Sequence, residues 1–305
     1  MHIHLLGTAA GGGVPQWNCY CAVCREARSG GRVRPRTQSS VAISADGKSW
    51  FLLNASPDIR VQIENFPALH PANRGARNSP IEAVLATNAD LDHTLGLLLL
   101  REGEKLRVHA TAAVRRALSE DLSFASVLNS FCGMEWIEPS KASQALLRRD
   151  GSESGLFCEA IPLPGKPPRF SKAATATAAG NVMGYRIVDK RTGGRLLFLP
   201  DVAALTEAAL QMLADCDVLL FDGTFWTENE MRDQELGKLS ASDMGHLPIS
   251  GPAGSLKTLA QLSVRHKIYT HINNTNPILI DGSPEAAEVA AAGCTVGRDG
   301  MEIEI

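Results

Sequence analysis

Residues 87–93 read TNADLDH and crowd Asp90, Asp92 and His93 between two apolar runs, IEAVLA (81–86) and TLGLLLL (94–100). A buried strand giving way to a helix is expected there, with carboxylates and an imidazole at the junction. Those are metal-ligand side chains, and their density reads as a metal site short of some histidines. A second set lies in NCYCAVC (18–24), where Cys19, Cys21 and Cys24 follow a C-x-C-x2-C spacing. Three thiolates that close together form a compact soft-ligand cluster suited to structural Zn2+.

Elements must deliver these side chains to common points. Short β-rich runs recur at 40–44, 50–54, 81–87, 106–110, 157–163, 184–189, 195–201, 217–223 and 266–271. Helical patterns lie between several of them, at 111–128, 206–216 and 255–265. The first strands pair as a hairpin and later ones alternate with helices, so a mixed α/β chain is expected. Asn54, Asn88, Asp201, Asp222 and His271 each stand just past an apolar run. Residues at strand ends are where layered α/β folds assemble sites. Residues 70–80 and 165–180 read as exposed loops.

With 305 residues, short gaps and no linker, the reading is one domain over 1–305 with a Cys-rich insertion at about 15–30. A net charge of −3 gives no electrostatic case for nucleic acid or an anionic membrane. No apolar run approaches the roughly 18–20 residues that span a bilayer. The start, MHIHLLGTAAGGG, lacks the basic head and apolar core of a signal peptide, so a cytoplasmic protein is expected. Cys132, Cys158, Cys216 and Cys294 are scattered among apolar residues and are read as core packing. GTAAGGG (7–13) lacks the Gly-Lys-Ser/Thr ending of a phosphate-cradling loop.

TNADLDHTLGL resembles the Thr-His-x-His-x-Asp-His signature of the metallo-β-lactamase superfamily, with Asn88 and Asp90 at the first two histidines. LFLPD resembles the strand ending in the bridging aspartate, here Asp201, and IYTHINN the strand ending in the last histidine, here His271. The middle histidine follows a Pro-Gly turn in that superfamily; PLPGK offers Lys166 instead. The longer set HLLGTAAGGGVPQWNCYCAVC, RTQSSVAIS, NASPDIR, FDGTFW, MGHLPIS and THINNTNP closely resembles the PqqB family of pyrroloquinoline quinone (PQQ) biosynthesis proteins.

The resemblance implies a four-layer αββα sandwich, an α/β (α+β) fold. It implies one active-site metal on Asp92, His93, Asp201 and His271, in a second position kept while the first has become Asn88, Asp90 and Lys166. Lys166 is expected to pair with Asp90 or to take a substrate carboxylate. Two imidazoles with carboxylates and open positions suit non-haem Fe(II) and O2 better than paired-zinc hydrolysis. His246 stands where related phosphodiesterases place a histidine, as an acid/base or substrate group, or as a structural one. Asp222 is expected to orient a ligand histidine. Arg34, Arg36 or Arg60 would anchor a substrate carboxylate, and Asn88 would face the substrate. In the phosphodiesterase relatives a histidine completes the cysteine site; here that position is Asn274, so His2, His4 or a water is expected instead.

Three functions follow from the resemblance. The leading one is an iron-dependent hydroxylase acting on the tyrosine ring of a cross-linked Glu–Tyr precursor. The others are a metal-dependent hydrolase and a soluble carrier moving PQQ or its precursor towards the periplasm. The implied partners are that peptide-derived small molecule and other PQQ biosynthesis proteins.

Overall fold

The structure, a computed structural model, describes residues 1–72, 77–172 and 180–305. Parts of the two expected loops, 73–76 and 173–179, lie outside the described residues. Among the described residues fourteen strands run in chain order: β1 (His2–Gly7), β2 (Ser40–Ser44), β3 (Trp50–Leu53), β4 (Ile81–Leu85), β5 (Leu106–His109), β6 (Met134–Ile137), β7 (Gln144–Leu147), β8 (Glu153–Leu163), β9 (Val182–Asp189), β10 (Arg195–Leu199), β11 (Val218–Asp222), β12 (His266–Thr270), β13 (Thr295–Val296) and β14 (Met301–Glu304). They form two seven-stranded sheets, ordered β14-β1-β2-β3-β4-β5-β6 and β13-β12-β11-β10-β9-β8-β7.

The layers follow from which side chains are apolar. Ile3, Leu5, Ile43, Phe51 and Leu85 of the first sheet meet Tyr185, Ile187, Phe198 and Leu220 of the second in a core between the sheets. The opposite face of the first sheet (Ala42, Leu52, Val84, Val108) is covered by Ile59, Leu97, Val114 and Leu118. The opposite face of the second (Leu197, Leu199, Phe221, Tyr269) is covered by Ala209, Leu213, Leu259 and Val289. Strands buried on both faces need apolar residues at successive positions, which is why β10 and β11 read as continuous runs. The result is the expected αββα sandwich.

Each sheet changes direction along its width. β14, β1, β2 and β3 pair antiparallel, whereas β3, β4, β5 and β6 pair parallel. Likewise β7 to β10 are antiparallel and β10 to β13 parallel. The helix expected over 111–128 is broken. Helix Ala112–Arg116 runs into a π-turn over Ala117–Asp121, Ser123 takes φ 59°, and a new helix covers Phe124–Asn129. In an unbroken helix Phe124 would lie about 240° round from Leu118. The break returns Phe124 and Leu128 to the same core. The helix expected over 255–265 ends at Ala260, leaving the chain free to bury Val264 before β12.

Candidate metal centres

Past the end of β4 the chain buries Thr87 and Asn88, then turns into a short helix, Leu91–Thr94, carrying Asp92 and His93. Asn54, just past β3 at φ 64°, accepts from the Thr87 amide at 2.9 Å and donates to its hydroxyl at 3.0 Å. That hydroxyl sits 3.0 Å from His93 Nδ1 and fixes the ring. Past β12, His271 takes φ 54°, a left-handed conformation uncommon for a side-chain-bearing residue and characteristic of functional turns. Its Nδ1 is 2.9 Å from the Thr224 hydroxyl, which donates at 2.6 Å to Asp222.

These strand ends converge. His271 Nε2 lies 3.2 Å from Asp92 Oδ2, and its Nδ1 lies 3.7 Å from Asp201 Oδ1. His93 Nδ1 is 3.4 Å from Asp201 Oδ2. The His93 and His271 rings meet edge-on at 4.9 Å, and His246 stacks on His271 at 5.5 Å. Two metal-competent triads result, Asp92-His93-His271 and Asp201-His246-His271, sharing His271. His93 Nε2 is buried with no hydrogen-bond partner, as a ligand nitrogen awaiting a cation would be. The donor set and that orphaned nitrogen fit a metal ion.

The buried carboxylates and imidazoles of the cluster act strongly on one another. Burial, then the Asp92 and Asp201 carboxylates, push Asp90 up to about 7. Burial opposes a charge on His271, but Asp201 and Asp92 overcome it and push the ring up to about 10. Asp92 is held well below the ordinary carboxylate range, because His93 and His271 outweigh its burial.

His246 follows Gly245, the left-handed cap of the short helix Ala241–Met244, and points Nδ1 at Asp222 Oδ2 over 2.8 Å. Buried Asp222 also accepts from the Val202 and Thr224 amides. It therefore holds His246 directly and His271 through Thr224. Removing the charge in Asp222→Asn is expected to lower turnover roughly 10–100-fold, the usual effect of losing a residue that orients a ligand. Turnover per bound metal is the measurement; an unchanged value would mean that Asp222 is only a packing group.

The other expected residues divide. Asn88 donates to Asp201 Oδ2 at 3.0 Å and accepts from the Asp90 amide at 3.0 Å, so both ends of its amide are used within the protein. Lys166 does not pair with Asp90. It is exposed, and its amine reaches the Asp243 carbonyl at 3.4 Å, because the segment leaving β8 passes beside the helix preceding His246. Arg34 and Arg60 are exposed, and neither forms an ion pair with a site carboxylate among the described residues. Arg36 is committed to Thr8 and the Gly297 carbonyl.

The thiols of Cys19, Cys21 and Cys24 gather as a second metal-competent group. Cys21 caps the helix Ala22–Ser29, accepting from the Cys24 amide. The fourth neighbour is Asn274: its Nδ2 lies 3.3 Å from Cys24 Sγ and 3.8 Å from Cys21 Sγ. His2 and His4 are elsewhere, paired with Glu304 and Glu302, because β1 aims them at the outer face of its sheet. Burial, with the neighbouring thiols, pushes Cys21 up to about 12. A divalent cation relieves that penalty, since metal-bound cysteine is deprotonated.

The two centres are tied together by Glu230. Its buried carboxyl accepts from the Trp226 amide, two residues past Thr224, and from the Thr275 hydroxyl, next to Asn274. Burial pushes its pKa from 4.5 up to about 7. The folded chain thus keeps a proton that the unfolded chain releases. The stability contributed by that proton is complete below pH 4.5 and is lost as pH rises through about 7. Denaturation midpoints of the wild type should fall across this window more steeply than those of Glu230→Gln; parallel curves would remove Glu230 from the account.

Sequence reading missed Thr87 and Thr224, which set the ring orientations, and the place of His246 within a ligand triad. Each threonine directly flanks or follows a strand-end polar residue, which is the one signal it leaves.

A family profile described as a beta-lactamase superfamily domain matches residues 49–272, and the chain belongs to that superfamily. It is 43% identical to coenzyme PQQ synthesis protein B of Cupriavidus necator across 99% of both chains, and 42% identical to that of Pseudomonas paraeruginosa over the whole of both. The crystal structure of Zn2+-bound PqqB from Methylobacterium extorquens matches with a TM-score of 0.90 and 40% identity, covering 100% of each chain. Within the superfamily, the chain is a member of the coenzyme PQQ synthesis protein B family. No helix among the described residues is long and apolar enough to cross a membrane.

Proposed function

We propose that this chain acts in PQQ synthesis as an Fe(II)- and O2-dependent hydroxylase of the tyrosine ring in a cross-linked Glu–Tyr precursor. The observation that carries the reading is at Asn88. Where the resemblance expects a first-position imidazole, an amide donates to Asp201, while the buried Nε2 of His93 makes no hydrogen bond and faces Asp92 Oδ2 at 3.7 Å. The arrangement supports one metal on Asp92, His93, Asp201 and His271, rather than the paired ions that clamp the oxygens of a hydrolytic displacement. When bound, Fe(II) supplies the redox chemistry that O2 requires.

The chain's own residues do the rest. Asn88 holds Asp201 in place, Thr87 and Thr224 fix the two ligand rings, and Asp222 presents His246 beside His271. His246, charged more readily than an ordinary histidine because Asp222 outweighs its burial, is placed to hold or deliver a proton at Nε2. Asp90, two residues before Asp92, adds a further carboxyl group beside the same carboxylates. Cys19, Cys21 and Cys24 would hold a structural zinc, with the Asn274 amide donating towards Cys24 and Cys21 beside it.

The test is a single turnover of Fe(II)-loaded protein with the precursor and 18O2. Incorporation of one labelled oxygen into the ring, absent with the zinc-loaded protein, is expected. Release of a cleaved fragment without label would favour the hydrolase, for which the second triad through His246 is the structural argument. Tight precursor binding with no product would favour the carrier.

A further inference from the structure

Away from both centres, the first strand carries another group of metal-ligand side chains. Ile3 and Leu5 of β1 face the core between the sheets, so the alternating His2 and His4 stand together on the outer face. On β14, Met301 and Ile303 pack on the same core and leave Glu302 and Glu304 outward. The antiparallel register sets His2 opposite Glu304 and His4 opposite Glu302. Two imidazoles and two carboxylates therefore form a two-by-two array, with directly opposed Cβ atoms about 4.5–5.5 Å apart.

The array lines a cleft of about 430 Å3 walled by Trp50 and Phe66. His4 stacks on Phe66 at 3.7 Å and 15°, leaving its side chain only 8% exposed. Its Nδ1 is buried without a hydrogen-bond partner, although Glu302 Oε1 is 3.3 Å away. His2 Nδ1 lies 3.9 Å from Glu304 Oε1. Burial, outweighing Glu302, lowers the His4 pKa and keeps the ring neutral, the form that ligates. The one rigid member of the array is thus a fixed imidazole whose buried nitrogen faces Glu302 at 3.3 Å without a hydrogen bond, beside exposed side chains able to turn.

We propose that His2, His4 and Glu302 form a further divalent-cation site, with Glu304 as an exchangeable fourth ligand. Two imidazoles with carboxylate select a borderline transition ion such as Zn2+ over Mg2+ or Ca2+, which take oxygen ligands. Closing the site needs only rotation of exposed side chains, since Glu302 and Glu304 are 73% and 77% exposed and His2 is 42% exposed. The ion would staple edge strand β14 to β1. The terminal amine does not compete, being buried against Asp189 at 3.1 Å.

The test is equilibrium dialysis of the full chain against micromolar free Zn2+, with zinc counted per chain. The wild type is expected to hold one more zinc than His2→Ala and Glu302→Gln, and zinc should raise the unfolding midpoint of the wild type further than that of either variant. Both substitutions fall on exposed side chains, and retention of the cysteine-bound zinc reports that the variants are folded. Equal zinc content in all three proteins, or an extra zinc that survives both substitutions, overturns the proposal.

Discussion

Replacing His93 with alanine is expected to strip the metal proposed for the strand-end site while the cysteine cluster keeps its proposed zinc. His93 offers the buried, unpartnered Nε2, and its other nitrogen is held by the Thr87 hydroxyl. Losing a residue that merely orients a ligand typically weakens metal binding roughly 10–100-fold. Losing the ligand itself should exceed that range, so turnover should fall more than about 100-fold. The fold should survive, because Asn54, Thr87 and Asn88 keep their own hydrogen bonds along the strand ends. Metal content and turnover of Fe(II)-reconstituted protein decide it. Wild-type iron content in His93→Ala would mean that the Asp201-His246-His271 triad alone is the site.

Cys21→Ala should fail in the opposite way, through stability. The substitution removes a thiol of the proposed zinc cluster and the cap of the helix Ala22–Ser29 at once. Structural zinc contributes apparent binding free energies of about 10–16 kcal/mol in zinc-finger peptides, where it is the main organiser of the fold. Here Val23, Ala27 and Val33 already bury that segment, so the metal supplies only part of its stability. A loss of about 4 kcal/mol or more is expected, in the range reached when a metal or disulfide is removed. The melting midpoint should drop by roughly 10 °C. Activity should fall secondarily, since Asn274 lies three residues past His271 and Thr275 is tied through Glu230 to the loop carrying Thr224. An unchanged midpoint and unchanged zinc would remove the structural role.

The local chemistry was readable because ligand types and spacing are properties of the chain itself. TNADLDH, the three cysteines and the polar strand ends were visible, and burial on both faces explains why the central strands read as apolar runs. The edge strands β6, β7, β13 and β14 were not read, being short or only half covered, so their patterns are weak. The break within 111–128 also escaped, because only the demand that Leu118 and Phe124 reach one core forces it.

What the sequence by itself determined is the inventory: which residues can ligate, which runs must be buried, and which superfamily pattern they follow. Which of them meet was decided by tertiary structure. Lys166 lies beside Asp243 rather than Asp90, His2 and His4 lie on an outer sheet face, and Asn274 takes the place beside the thiols. The physical reason is that position past a strand end is local, whereas distance between strand ends depends on sheet order. The parallel runs β3-β4 and β10-β11-β12 bring Asn54, Asn88, Asp201, Asp222 and His271, far apart in the chain, to one end of the sandwich.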